Sequence, residues 1–186
     1  CFEVTERVLS DGSVETGLDE AAIAAGLIPA LQQGRYDAIA ICLLNAYAND
    51  AHEQRVAALI HEALPDVFIT GSADVIREFR EFERASTTTL AAFVQPVIDR
   101  YLSRIEQRLT AERFGGRFTV MQSNGGRLPA EGMRRNAITA LFSGPAAGVV
   151  GAVRQAERSG YKNLITFDMG GTSTDVCLVD EGQPAT

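Results

Sequence analysis

LITFDMGGTSTDVCLVD, residues 164–180, reads as two strands joined by a tight turn. The apolar run NLITFD at 163–168 delivers Asp168 to its end, and TDVCLVD at 174–180 forms the return strand of a hairpin. Between them, Gly170 and Gly171 are expected to turn with positive φ and to let the backbone approach a ligand closely. Thr172, Ser173 and Thr174 add hydroxyls. An ordinary glycine hairpin would need only the two glycines. An Asp ending an apolar strand, Gly-Gly-Thr, and a second Asp at 175 make a more specific pattern. Amide donors with no Cβ in the way, hydroxyls alongside, and carboxylates for Mg²⁺ and its waters together suit a phosphate chain.

Working back from this hairpin, SGPAAGVVGAVRQAERS predicts a helix starting near Gly144-Pro145, where proline suits a first turn, and stopping at Gly160. RFTVMQ at 117–122 is strand-like, SNGG at 123–126 is a sharp turn signal, and a short helix fits 129–135. Ser72 to Glu112 is the longest helical region. Leu90, Val94, Val97, Tyr101, Ile105 and Leu109 mark an apolar stripe along it, and Pro96 is expected to kink or divide it. DAIAICLLNAY at 37–47 has the continuous apolar character of a strand buried on both faces. Asp50 and Glu53 have capping-box spacing ahead of a helix carrying Val56, Leu59, Ile60, Ala63 and Leu64, which Pro65 ends. DVFIT at 66–70 is a further strand. Strand, helix and strand with short connections predict an α/β layer architecture. At the start, CFEVTERVLSDGSVET suggests a strand pair turning at Asp11-Gly12. A helix follows from Asp19-Glu20 through Ile23, Leu27 and Leu31, with Pro29 bending or shortening it and Gly34 stopping it.

The 186 residues are 46% hydrophobic and 22% charged, which supports a packed core and excludes wholesale disorder. No apolar run reaches the roughly 20 residues of a membrane-spanning helix. With 24 acidic and 17 basic residues the net charge is -7, so nucleic acid and anionic membrane are not expected partners. Small anions remain compatible, because amides and a metal can hold them locally. Cys1, Cys42 and Cys177 are odd in number and widely spaced, which argues against a cysteine zinc site. Cys42 and Cys177 lie in strand-like apolar runs, so buried structural thiols in a reducing cytoplasmic setting are expected. His52 and His61 are read as solvent-exposed, with no metal-ligand spacing between them.

DMGGTSTDV at 168–176 resembles the second phosphate loop of the actin-like ATPase superfamily, and SGPAAGVVGA resembles its small-residue crossing helix. REFREFERASTTTLAAFVQPVIDRYL at 77–102, VMQSNGG at 120–126, LFSGPAAGVVGA at 141–152 and TFDMGGTSTDV at 166–176 together resemble the hydantoinase A/5-oxoprolinase family, whose relatives include acetone carboxylase beta-type subunits. ICLLNAYANDAHEQRV at 41–56 resembles it too.

The resemblance implies ribonuclease H-like, actin-like ATPase layers. Residues 1–140 would be the later part of a first lobe, and 141–186 the crossing helix and opening of a second. It implies ATP-driven phosphorylation of a cyclic amide or imide carbonyl followed by ring opening, or ATP-dependent ketone carboxylation. A nucleotide-gated chaperone or actin-like module is the reading the loop alone permits. By motif position, Asp168 would contact Mg²⁺ through water and Asp175 would orient a nucleophile or a metal-bound water. Gly170, Gly171, Thr172, Ser173 and Thr174 would bind the ATP phosphates. The family carries another such loop and adenosine-binding segments outside this stretch, so an internal fragment without catalysis of its own is expected. A hydantoinase B-type subunit or fused domain and a homo-oligomer are the implied partners.

Other candidates are less specific. Ser123, Asn124, Gly125 and Gly126 form either a plain turn or part of a substrate pocket. Arg80, Glu83, Arg84, Ser86 and Thr87 make a polar cluster at the head of the long helix, which surface pairing explains nearly as well. Asn45, Tyr47 and Asn49 follow a buried strand, where α/β sheets present functional loops.

Overall fold

Arg7–Val8 (β1) pairs antiparallel with Val14–Thr16 (β2). The turn between them closes where Asp11 Oδ1 accepts from the Ser13 amide and hydroxyl, with Gly12 at φ +85. Asp19 caps the next helix by accepting from the Ala22 amide at 2.9 Å. Glu20–Ala22 (α1) runs through a π turn at Ile23–Leu27 into Ile28–Gly34 (α2). Pro29 therefore does not end the helix. Its missing N–H falls where the hydrogen bonds widen, with the Ile28 amide reaching back to Ile23 O. The chain leaves α2 through Arg35 in the left-handed region. A Cβ on Gly34 would lie 2.2 Å from the exposed Tyr36 ring, which would have to swing aside.

Ala38–Ile41 (β3), Ala51–Ala63 (α3) and Phe68–Gly71 (β4) form a strand–helix–strand unit with the strands parallel, Ala38 opposite Phe68 and Ile41 opposite Gly71. Ile39, Ile41 and Ile69 face a core of Ile23, Leu31, Val56 and Ile60. The opposite face meets Glu81–Ala111 (α5), with Thr70 donating to Gln95 Oε1 at 2.8 Å. Helices thus cover both faces of this parallel pair. The expected strand over 37–47 is shorter than its apolar run. Its burial is also incomplete on the α5 side, where Ala40 stays exposed, and among the described residues β3 pairs with β4 alone.

Ser72–Val75 (α4) is separate from α5, because Ile76 and Arg80 are extended. Beyond them α5 runs unbroken through the buried Pro96. Arg134 fastens its second half, reaching Asp99 at 2.9 Å and Glu106 at 2.5 Å, and these carboxylates hold the guanidinium above its ordinary pKa. The buried side of α5 is not the expected stripe. Arg84, Thr88, Ala91, Ala92 and Leu102 face inward, while Leu90, Val97 and Tyr101 are exposed. The surface facing α5 carries Ala38, Ala40 and Thr70, and small helix residues suit close approach to it.

Thr119–Met121 (β5) and Arg127–Pro129 (β6) form an antiparallel hairpin, followed by Ala130–Arg135 (α6), a 3-10 turn at Ala137–Ala140, and Ser143–Arg158 (α7). Leu164–Met169 (β7) pairs with Thr174–Asp180 (β8), which pairs in turn with Gln183–Pro184 (β9). The structure is a computed structural model describing residues 1–185. It divides into two units: Cys1–Glu112 with Arg134–Ile138, and Arg113–Met133 with 139–185.

Candidate functional site

In the second unit, the register of the β7–β8 hairpin sets Asp168 directly opposite Asp175 and Met169 opposite Thr174. Directly paired residues in an antiparallel ladder share a face, with Cβ atoms about 5 Å apart. Two exposed carboxylates therefore stand side by side at the turn end of the hairpin. Leu164, Thr166 and Asp168 share their face with Asp175, Cys177 and the buried Val179. Helix α7 packs against the hairpin, and a Cβ on its Gly148 would sit 3.9 Å from Asp168 Oδ2. Larger residues at 148 would crowd that carboxylate. Gly148 is a neighbour of the candidate carboxylate that the sequence reading did not single out, although it lies in the small-residue run SGPAAG.

The loop itself is closed by the Gly170 amide donating to Ser173 O at 2.9 Å, and residues 170–173 are exposed. Neither Gly170 nor Gly171 has positive φ, which corrects the expected turn geometry. What the glycines supply is room. A Cβ on Gly171 would meet nothing within 4 Å, and one on Gly170 only the Ser173 carbonyl at 3.6 Å. With the Gly170 amide engaged in closing the loop, the exposed backbone from Gly171 to Ser173 is what an approaching anion meets, with Thr172 and Ser173 at its tip.

Ser123, Asn124, Gly125 and Gly126 form a hairpin turn between β5 and β6. Asn124 Oδ1 accepts from the Gly126 amide, and the Gln122 amide donates to Gly126 O, both at 2.8 Å. Gly125 has φ +79, and a Cβ there would press on Val150 Cγ2 of α7 at 3.1 Å. Val150 and Gly148 are two residues apart on one helix, so they point about 160° apart around its axis. The turn and Asp168 consequently lie on different sides of α7.

In the first unit the polar groups gather where β3 and β4 end. Glu53 is buried and accepts from the Leu43 amide at 2.8 Å, the Ser72 hydroxyl at 2.6 Å and the Ala73 amide at 3.0 Å. This overturns the capping box. Asp50 makes no side-chain cap and instead pairs with Arg77 at 2.6 Å, while Glu53 ties the two strand ends together. Arg84 is wholly buried, donates to Leu43 O at 2.6 Å and Glu78 O at 2.9 Å, and lies over the Tyr47 ring. Its Nε has no hydrogen-bond partner among the described residues. The Leu43 peptide is therefore held at both ends, N–H by Glu53 and C=O by Arg84, which is why the strand stops at Ile41.

Arg80 and Glu83 form only a long, exposed pair at 3.9 Å, and Thr87 bonds back to Glu83 O. Asn45 and Asn49 donate to Val8 O and Gly12 O, both at 2.8 Å, so their amides anchor the β1–β2 hairpin. His61 is exposed, but His52 is half-buried with Nδ1 2.7 Å from Glu6 Oε2, against the expectation of exposure. The cysteines also depart from the expected buried thiols. Cys1 is exposed, while Cys42, just past a strand end, and Cys177 are half-buried.

A hydantoinase/oxoprolinase family model matches residues 84–186, and the model of the hydantoinase/oxoprolinase N-terminal region matches residues 1–64. The chain is 41% identical over 179 residues to caprolactamase subunit alpha of Pseudomonas jessenii, covering 95% of this chain and 25% of that protein. The crystal structure of the ATP-dependent caprolactamase from that organism superposes with a TM-score of 0.81 at 40% identity, covering 94% of this chain and 25% of that one. Nucleotide-free acetone carboxylase superposes with a TM-score of 0.83 at 30% identity, covering 97% and 26%. The chain thus spans about a quarter of the length of these relatives.

Proposed function

This chain belongs to the hydantoinase/oxoprolinase family, and from that premise we propose that it is part of an enzyme using ATP to open a cyclic amide or imide. The observation that carries the proposal is Asp168 opposite Asp175 at the turn end of the β7–β8 hairpin, beside Gly148. The loop amides, with the Thr172, Ser173 and Thr174 hydroxyls, would hold the phosphates of ATP. Mg²⁺ suits two neighbouring carboxylates, because it keeps several waters and takes phosphate oxygens rather than needing a full protein cage. Asp168 would hold it through water and Asp175 would orient a water or nucleophile. A metal held there would supply charge neutralisation for the transferred phosphoryl group.

The chemistry in this reading is transfer of the terminal phosphoryl group to the carbonyl oxygen of the ring amide. One water then adds to the activated carbon and the ring C–N bond breaks, which leaves an acyl phosphate and the freed amine; a second water at the same carbon displaces phosphate and leaves the carboxylate. Residues 1–140 would belong to a first actin-like lobe, and 141–186 would supply the crossing helix and opening hairpin of the second. Ser123 to Gly126 remain candidates for the substrate side. A hydantoinase B-type subunit or fused domain and a second copy of the chain are the proposed partners. The free thiols support a cytoplasmic setting.

The likeness to acetone carboxylase favours one second reading, ATP-dependent carboxylation of a ketone. One experiment separates the two. The full-length protein with its partner subunit is assayed for ADP release on 5-oxoproline, hydantoins and lactams, with and without bicarbonate. Ring-amide stimulation without bicarbonate is expected. Stimulation only by a ketone with bicarbonate would move the assignment to the carboxylase.

A further inference from the structure

Helix α7 meets its two neighbours at glycines. On one side, a Cβ on Gly125 would stand 3.1 Å from Val150 Cγ2, so the β5–β6 turn lies against the helix with no side chain between. On the other, a Cβ on Gly148 would stand 3.9 Å from Asp168 Oδ2. Residues 148 and 150 are about 3 Å apart along the helix axis and about 160° apart around it. A push on α7 at Gly125 is therefore a push toward Asp168. Val150 leaves nothing to spare there, because a carbon at 3.1 Å is inside ordinary van der Waals contact. Close-packed elements transmit such a push as a shift of the whole element.

The same turn holds α7 at a second point. The Ser123 amide donates to Thr139 O at 2.8 Å, in the 3-10 turn that leads into the helix. Between these two points Phe142 enters α7 at φ +58 and gives it no side-chain cap. A bulky residue in the left-handed region is costly and persists where its surroundings fix it. The start of α7 is thus secured by the hairpin turn, at Thr139 and again at Val150, rather than by a cap of its own. All of these contacts lie within the second unit.

We propose that Gly125 and Val150 are positioning residues for Asp168, acting through α7: the hairpin turn sets how closely the helix stands to the carboxylate, and so where Asp168 holds its metal. The proposal rests on the reading of Asp168 as the carboxylate that holds Mg²⁺ through water.

The test uses the full-length protein with its partner subunit and no cyclic amide. Binding of Mn²⁺ with adenylyl imidodiphosphate is read by electron paramagnetic resonance. Gly125→Asn keeps a residue that tolerates positive φ but sets a side chain against Val150. It should weaken Mn²⁺ binding about tenfold, although residue 125 lies on the far side of α7 from Asp168. Gly148→Val crowds the carboxylate from the near side and should weaken binding at least as much. Val150→Ala gives α7 room on the turn side. Alone it should weaken binding about twofold, because the helix loses its brace. Combined with either glycine variant it should bring the affinity back to within about threefold of the parent. A change that harms alone and corrects in combination is the signature of a displaced helix, whereas a merely loosened fold makes the losses accumulate. If Gly125→Asn fails to fold, Gly148→Val with and without Val150→Ala decides the same question. Parent-like Mn²⁺ binding in Gly125→Asn, or no recovery on adding Val150→Ala, would overturn the link through α7 while leaving the role of Asp168 intact. An Asp168→Ala protein that binds Mn²⁺ as the parent does would overturn that role and the link with it.

Discussion

Replacing Asp168 with Ala in the full-length protein is expected to lower substrate-driven ADP release by about a thousandfold. A metal-held carboxylate beside a transferring phosphoryl group contributes several kcal/mol of charge stabilisation, and each 1.36 kcal/mol is about a factor of ten. Asp175→Ala should act in the same direction. The stability of these variants should move the other way. Asp168 and Asp175 are like charges directly opposite in an antiparallel pair, an arrangement that disfavours the folded hairpin. Neutralising either should leave the thermal midpoint unchanged or slightly raised. Loss of turnover together with retained or increased stability distinguishes a functional carboxylate from a structural one. Full turnover in both variants would remove the assigned roles, and a lowered midpoint would indicate a packing role instead.

The second large effect concerns folding. Glu53→Ala is expected to destabilise the first unit by about 3–5 kcal/mol, because it strands the Leu43 amide, the Ser72 hydroxyl and the Ala73 amide in a buried setting. Glu53→Gln keeps the shape but turns one acceptor into a donor, so a loss of about 1–3 kcal/mol is expected. Urea denaturation followed by circular dichroism reads both. The order should be parent, Gln, then Ala. An Ala variant as stable as the parent would show that the strand ends are held by packing alone. Arg84 grips the other end of the same Leu43 peptide, so removing both side chains should cost other than the sum of the two single losses.

Much of this was legible in the residues. The 163–180 hairpin, the strand–helix–strand unit and the long helix all follow from apolar period and from turn residues. These signals are local, and the fold keeps them. Failures occurred where a side chain had a distant partner. Glu53 has the spacing of a capping residue, yet its three partners lie 10, 19 and 20 residues away. Nothing local announces them. The α5 stripe was legible as a face, but its surroundings were not: Val94, Ile105 and Leu109 are half-buried, while Leu90, Val97 and Tyr101 are exposed. Periodicity identifies a face, not what covers it, and the surface opposite α5 takes small residues and Arg84. Pro29 and Pro96 were weighed as breaks, and in both places the helix continues. A π turn absorbs the first, while the Arg134 pairs anchor the helix beyond the second. At the site, the paired carboxylates were visible in the motif. The approach of Gly148 to Asp168 depends on helix packing, which no spacing encodes.

The central claim is phosphorylation of the ring carbonyl, and the fate of its oxygen tests it most directly. The full-length protein with its partner subunit is supplied with ATP and a cyclic amide labelled with ¹⁸O at the carbonyl. Released phosphate is then examined by mass spectrometry. Transfer to the carbonyl oxygen, followed by water attack at carbon, predicts that the phosphate carries the substrate's ¹⁸O. Unlabelled phosphate accompanying ring opening, with the ¹⁸O absent from the new carboxylate's phosphorylated form in an acid-quenched sample as well, would contradict it, because ATP would then have been cleaved without activating that oxygen.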